Sequence, residues 1–196
     1  NPINGLLGVT KMMENQFSNE NQILKPLSLI KVNISIILNL LNSMLDMEQL
    51  KQNTLNLNIS KVKISELFEN IRSLYEYQLS SKNLKFFTKI ESPKAKYIYT
   101  DKNRLNQILI NLVANALKFT FKGSITVSVQ EDPEDSEKLL FKVTDTGIGI
   151  KDEDCNHLFQ MFGKLQSSAM INPEGVGLGL VISNSLVKAL NNNNAE

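Results

Sequence analysis

Residues 111–119 read Asn-Leu-Val-Ala-Asn-Ala-Leu-Lys-Phe, and this stretch decides how the rest of the chain is interpreted. Asn111, Asn115, Lys118 and Phe119 stand at i, i+4, i+7 and i+8, which places them on one stripe of a helix beside its apolar face. The stripe offers an amide oxygen to a hard cation such as Mg²⁺, a charge to a phosphate and a ring to a purine. The alternative is a solvated helix face, because asparagine is abundant in this chain and pairs arise by chance.

Two further stretches follow in a fixed order, Asp145-Thr146-Gly147-Ile148-Gly149 and Gly175-Val176-Gly177-Leu178-Gly179. A carboxylate at a strand end can accept the amino proton of adenine, and Gly147 and Gly149 allow the backbone to approach the ring. The later glycines, Gly175, Gly177 and Gly179, open a helix whose free amides attract phosphate. Alone, each stretch could be an ordinary turn or hinge. Together the three predict a site for ATP with Mg²⁺.

Composition fits a compact globular protein. The 196 residues are 42% hydrophobic, and the net charge of +1 gives no electrostatic reason to expect nucleic acid or an acidic membrane as partner. The single cysteine excludes an intrachain disulfide and suits a reducing compartment. No apolar run reaches the ~18 residues of a spanning helix. We therefore expect a soluble, cytoplasmic portion, with any membrane anchor in segments outside this chain.

The chain divides near residues 53–63. Residues 22–52 carry apolar side chains at alternating spacings of four and three, typical of a helical seam: Ile23, Leu27, Ile30, Ile34, Ile37, Leu41 and Met44. A polar loop separates this helix from a shorter one that carries Ile3, Leu6, Met13 and Phe17. The pair is either a hairpin inside a larger core or a hairpin that dimerises into four helices, and we favour the second. Residues 1–52 are thus predicted as a dimerisation domain.

After residue 53 the pattern becomes mixed. The predicted strands are 55–59, 84–90, 97–99, 125–129 and 139–144, and the predicted helices are one capped by Ser65, one from Asp101 through Phe119, 153–162 and 178–190. A loop is expected at 163–174, and Gly123 is expected to end the helix that contains Phe119. The fold class is therefore α+β, a helical hairpin followed by an α/β sandwich over residues 60–196 with helices on one face of a mixed sheet.

Residues 111–119, 145–149 and 175–179 resemble, in that order, the N, G1 and G2 boxes of sensor histidine kinases. Residues 158–165 resemble the F box of that family, and residues 1–8 are similar to the tail of its H box. The resemblance covers nearly the whole chain in the family's order. It implies a dimerisation hairpin followed by a Bergerat-type ATP-binding domain, as in histidine kinases, gyrases and chaperones. Residues 163–174 would then form the mobile ATP lid.

The resemblance also implies roles for individual residues. Asn115 would coordinate Mg²⁺, Asn111 would assist at the phosphates, and Asp145 would read adenine. Lys118 would contact a phosphate, and Lys164 would stand near the γ-phosphate. The implied partners are a second copy bound through the hairpin and a response-regulator receiver domain.

The chain departs from the family pattern in three ways. The phosphoacceptor histidine would lie five residues before the proline matched by Pro2, and the only histidine, His157, stands beside the F box, where a surface or lid-packing role is expected. Val176 replaces a usual threonine. The strands that normally follow the last helix are missing, so we expect an exposed sheet edge. This chain alone should bind ATP without phosphorylating itself.

These patterns predict the catalytic core of a phosphorelay sensor histidine kinase, which transfers the γ-phosphoryl group of ATP to a histidine. One alternative is a non-catalytic dimerisation and nucleotide-sensing module, a pseudokinase. Another is an ATPase clamp of the gyrase, chaperone and mismatch-repair type, which generally activates water with a carboxylate on the N-box helix. No acidic residue stands between Asp101 and Phe119.

Overall fold

The computed structural model describes a defined part of the chain. The described residues are 54–135, 137–155 and 179–192, together with Ile30, Ile34, Ile37, Leu41, Met44, Leu45, Glu48, Gln49, Gln52 and Leu158. The chain splits into two compact units, Asn1–Leu55 and Asn56–Glu196.

The first unit is helical at eight described positions from Ile30 to Gln49. Ile34 is buried, whereas four other residues of the predicted seam remain exposed: Ile30 (47%), Ile37 (49%), Leu41 (44%) and Met44 (57%). The predicted first helix and the stretch that resembles the H box lie outside the described residues. At its described positions the seam is therefore helical and largely uncovered.

The second unit alternates strands and helices. Its elements are β1 (Ile59–Lys63), α1 (Ile64–Ser81), β2 (Lys85–Ile90), a short 3-10 helix (Pro93–Lys96), β3 (Tyr97–Asp101), α2 (Lys102–Phe119), β4 (Ser124–Glu131), β5 (Leu139–Asp145), α3 (Asp152–Cys155) and α4 (Gly179–Asn192). None of the helices in the described part of the chain combines the length and hydropathy of a membrane-crossing segment.

The strands form two sheets. β1 and β3 make an antiparallel pair. β4 lies between β2, to which it runs parallel, and β5, to which it runs antiparallel. This confirms the predicted mixed sheet, although the first and third strands stand apart from it. Within the described residues β5 is an edge strand.

The core lies between this sheet and the helices α1 and α2. Ile125, Val127 and Val129 alternate along β4 and are fully buried against Phe68 of α1 and Leu109 of α2, among others. Burial of each such side chain contributes about 1.5–3 kcal/mol. The apolar face of β4 and the periodic apolar face of α2 thus pack into the same core.

Two predicted boundaries near the start of this unit are wrong. The strand predicted over 55–59 begins only at Ile59, because the Asn58 amide donates to Asp101 Oδ2 (2.9 Å) instead of joining a ladder. Ser65 does not cap α1, which begins at Ile64 after Lys63 and has no side-chain cap. Lys63 still pairs with Tyr97 in the β1–β3 ladder, so the chain turns into the helix directly after the last paired residue.

Two later boundaries also differ from the predictions. Gly123 does not end α2, which stops at Phe119. The helix predicted over 153–162 is described only as Asp152–Cys155, and Leu158 lies in a turn whose amide donates to the Cys155 carbonyl, three residues back (3.3 Å). The other residues of that segment, the predicted loop 163–174 and His157 lie outside the described residues.

Candidate nucleotide-binding site

The site is built on α2, whose start is fixed by a side-chain cap. Asp101, only 4% exposed, accepts hydrogen bonds at Oδ1 from the amides of Asn103 (2.9 Å) and Arg104 (3.1 Å). Its other oxygen accepts from Asn58. Such a cap stabilises a helix by about 1 kcal/mol. The predicted role of Asp101 as cap is confirmed, and the cap sets where the following helix turns point.

The predicted stripe is present on α2. Asn111, Asn115, Lys118 and Phe119 are all half-buried, next to fully buried Val113 and its neighbours. Lys118 Nζ lies 5.0 Å from the centroid of the Phe119 ring. The helix thus brings two carboxamides, an ammonium group and an aromatic ring to the border between core and solvent.

The end of α2 contacts the loop after β5. The Ile148 amide donates to the Phe119 carbonyl at 3.3 Å. A Cβ on Gly147 would stand 2.5 Å from the same carbonyl oxygen and 2.7 Å from Asp145 Oδ1. Only glycine fits at this approach. The first and second sequence stretches are therefore in direct contact.

The Asp145 carboxylate is held by one of its oxygens. Oδ1 accepts from the Gly147 amide (2.8 Å) and lies 3.4 Å from Thr120 Oγ1. Oδ2 receives no hydrogen bond from the described residues, and the residue is exposed. An acceptor that is fixed on one side and open on the other is suited to a ligand that donates a hydrogen bond.

A second contact fastens the same loop to β4. Thr146 Oγ1 accepts from the Ser124 amide (2.9 Å). Gly123 lies against this hydroxyl with a φ of +113°, and a Cβ there would stand 2.1 Å from Thr146 Oγ1. Gly123 therefore allows the turn between α2 and β4 to adopt a positive φ and to lie close to the Thr146 hydroxyl.

The third stretch contacts Asn111 of α2. The Nδ2 atom of Asn111 lies 3.4 Å from both the Gly179 carbonyl oxygen and Ser183 Oγ, and Ser183 is 5% exposed. Gly179 begins α4, close to the predicted helix start at 178. Gly175, Gly177 and Lys164 lie outside the described residues.

Sequence reasoning missed three residues at this site. Thr120 contacts Asp145, Ser183 contacts Asn111, and Lys82 Nζ donates to the Leu117 carbonyl at the C-terminal end of α2 (2.5 Å). Thr120 and Ser183 each had a local signal, since one directly follows Phe119 and the other stands one helical turn after Gly179. Lys82 had no such signal, because it adjoins none of the three stretches in the sequence.

The donor set fits a nucleotide with a bound Mg²⁺ ion. Asn115, and Asn111 through its Oδ1, present neutral amide oxygens, which suit a cation that keeps phosphate and water as its other ligands. The crowded Gly147 leaves room for backbone only, next to the open oxygen of Asp145. The amide oxygens and the open Asp145 oxygen therefore border on the same helix.

Comparison with known proteins identifies the same family as the sequence patterns. Residues 100–194 match the family model described as histidine kinase-, DNA gyrase B- and HSP90-like ATPase. Sensor histidine kinase GacS of Pseudomonas protegens is 32% identical over 191 residues, covering 96% of this chain and 21% of GacS. The aerobic respiration control sensor protein ArcB of Escherichia coli is 31% identical over 189 residues, covering 95% of this chain and 24% of ArcB. The chain thus spans less than a quarter of these relatives.

A solved structure gives the same result. Full-length ShkA in complex with AMPPNP is similar with a TM-score of 0.71 and 26% identity, over 96% of this chain and 38% of ShkA. The predicted resemblance to sensor histidine kinases and the predicted α/β fold are confirmed.

Proposed function

We propose, from the premise that residues 100–194 match the model of the histidine kinase-, DNA gyrase B- and HSP90-like ATPase family, that this chain is the catalytic portion of a sensor histidine kinase. It binds Mg·ATP, and within the natural protein the γ-phosphoryl group is transferred to a histidine. The observation that carries the proposal is the meeting of α2 with the Asp145–Gly149 loop on one side and with the start of α4 on the other.

Asp145 selects the base in this proposal. Its Oδ1 is occupied by the Gly147 amide, and Oδ2 is left to accept a proton from the amino group of adenine. Guanine would present the lone pairs of its carbonyl oxygen at the same place. An unpaired polar group in a buried contact costs about 1–3 kcal/mol, so ATP should bind at least several-fold more tightly than GTP.

The other stripe residues serve the phosphates. Asn115 would hold Mg²⁺, and Asn111, whose Nδ2 lies near Gly179, would offer Oδ1 at the phosphates. Lys118 would contact a phosphate, and we retain Lys164, Gly175 and Gly177 as further phosphate-binding residues on the strength of the family resemblance. Bound Mg·ATP supplies the transferable phosphoryl group and neutralises part of its charge. The chain's own contribution is positioning and charge.

We further propose that residues 1–52 form a dimerisation hairpin and residues 60–196 the ATP-binding domain. The uncovered seam supports this assignment, because Ile30, Ile37, Leu41 and Met44 would otherwise expose apolar side chains at helical spacing. The occupant of this face is a second copy of the chain. A response-regulator receiver domain would then accept the phosphoryl group from the histidine.

Calorimetric titration of this chain with Mg·ATP and Mg·GTP tests the proposal. We expect a clear preference for ATP in the wild type. Asp145→Asn should erase most of it, since a carboxamide can turn its NH₂ group towards the carbonyl of guanine. Equal affinities of the wild-type chain for both nucleotides would overturn the adenine assignment.

The matched family also includes gyrase- and chaperone-like ATPases, so an ATPase clamp is the second candidate. Such a clamp needs a carboxylate to activate water, and α2 (Lys102–Phe119) carries none. The measurement that separates the two is phosphate release. Steady turnover by this chain alone would favour the clamp, and binding without turnover would favour the kinase.

A further inference from the structure

Thr120 occupies a buried position between the N-box helix and the base-reading loop. It is the residue directly after α2, and its amide donates to the Ala116 carbonyl (2.9 Å), which continues the helix hydrogen-bonding pattern. Its side chain is fully buried, with 0% exposure. The hydroxyl points to Asp145, where Oγ1 lies 3.4 Å from Oδ1. No buried side-chain polar atom of the described residues lacks a partner, so this contact satisfies the Thr120 hydroxyl.

The same carboxylate oxygen has a second donor, the Gly147 amide at 2.8 Å. Gly147 itself is confined, because its Cα faces the Phe119 carbonyl so closely that no Cβ would fit. The two donors come from different segments, Thr120 from the helix end and Gly147 from the loop. Rotation of the carboxylate would break at least one of them, so together they fix where Oδ2 is directed.

We propose that Thr120 is a positioning residue for adenine recognition. Its buried hydroxyl and the Gly147 amide hold Oδ1 of Asp145 so that Oδ2 is presented to the amino group of the base. The inference rests on the proposed role of Asp145 and extends it to a residue that does not touch the nucleotide. The consequence is specific, because loss of the hydroxyl affects recognition of the base and leaves the phosphate contacts intact.

The size of the effect follows from the geometry. A distance of 3.4 Å is long for an O–H···O contact, whose usual spacing is about 2.7–2.8 Å. A hydrogen bond to a charged group contributes more than one between neutral groups, and a long one contributes less. We therefore expect a loss of ATP affinity of about three- to tenfold when the hydroxyl is removed, with the short Gly147 contact retained.

The experiment compares Thr120→Val with Thr120→Ser and with Thr144→Val. Valine keeps the shape of threonine and removes the hydroxyl, and serine keeps the hydroxyl. Thr144 is exposed on β5 next to Asp145 and serves as the matched control. Each 196-residue variant is titrated with Mg·ATP and with Mg·GTP, and its thermal unfolding is recorded. Thr120→Ala replaces the valine variant if that variant does not fold.

The proposal predicts that Thr120→Val weakens ATP binding three- to tenfold, leaves GTP binding within about twofold and so reduces the preference. Thr120→Ser and Thr144→Val should keep the wild-type ratio. An unchanged ratio in Thr120→Val, or an equal loss for both nucleotides, would overturn it. Asp145→Asn, measured in parallel, distinguishes failure of the Asp145 assignment from failure of the Thr120 assignment. If that variant keeps the wild-type preference, the adenine assignment itself fails; if it loses the preference and Thr120→Val does not, only the role of Thr120 fails.

Discussion

Replacement of Gly147 by alanine is the sharpest perturbation that the site offers. The added Cβ would stand 2.5 Å from the Phe119 carbonyl oxygen, 2.9 Å from its carbonyl carbon and 2.7 Å from Asp145 Oδ1. Two of these atoms are backbone at the end of a packed helix and cannot swing away. The loop must therefore move away from α2, and the Ile148–Phe119 hydrogen bond and the Gly147–Asp145 hydrogen bond are strained together.

The magnitude can be worked from these contacts. Forcing a methyl group into a filled space costs about 1–3 kcal/mol, and contact with backbone places Gly147→Ala in the upper half of that range. Loss of the hydrogen bond to the Asp145 carboxylate removes about 1.5 kcal/mol or more of the free energy that holds this carboxylate in its orientation. Because about 1.4 kcal/mol corresponds to a factor of ten, ATP affinity should fall at least tenfold.

Gly149→Ala is the matched control for stability. Its φ of +70° makes alanine strained by about 1–2 kcal/mol, yet a Cβ there would meet no atom within 4 Å. Urea denaturation should show a loss of unfolding free energy in both variants. Calorimetric titration should show a reduced ATP-over-GTP preference in Gly147→Ala. If Gly147→Ala binds ATP with the wild-type preference, the contact between the helix end and the loop does not position Asp145 and the reasoning is refuted.

Three further predictions concern other parts of the second unit. Asn115→Asp should weaken ATP binding at low Mg²⁺ and make it depend more steeply on Mg²⁺, because an added carboxylate repels phosphates unless a cation intervenes; insensitivity across a magnesium series would remove Asn115 as a metal ligand. Asp101→Ala should lower the unfolding free energy by about 1–2 kcal/mol in urea denaturation, since it uncaps α2 and frees the Asn58 amide, and an unchanged value would contradict the capping role. Burial raises the pKa of Tyr75, which donates to the Ile110 carbonyl, from 10.0 to about 12. The neutral phenol therefore contributes roughly 2–3 kcal/mol of stability, which is present below pH 10 and is lost between pH 10 and about 12. A Tyr75→Phe variant with the same alkaline loss of stability as the wild type would rule this out.

The elements that could be predicted from the sequence are those with a local signal on both ends. α2 has a capping aspartate before it and a regular apolar face within it, and β4 alternates strictly between Gly123 and the acidic hairpin. The three stretches could also be found, because 111–119 carries amides, an ammonium group and a ring at helical spacing, and the other two carry closely spaced glycines. The structure places the described members of these stretches around one helix.

The start of β1 could not be predicted, because Leu55, Leu57 and Ile59 alternate with polar residues equally on both sides of the true boundary. What decides it is the capture of the Asn58 amide by Asp101, 43 residues later in the chain. The contact of Thr120 with Asp145 likewise spans 25 residues. Sequence periodicity carries no information about such pairs, since it reports which face of an element is buried and not what that face meets.

Phosphorylation of the natural full-length protein tests the central proposal most directly. Incubated with γ-labelled Mg·ATP, the protein should acquire a label that is stable in alkali and lost in acid, as expected for phosphohistidine, and Asp145→Ala should abolish that label. Tight ATP binding without any labelled protein, or steady phosphate release without a phosphoprotein, would contradict the assignment as a histidine kinase.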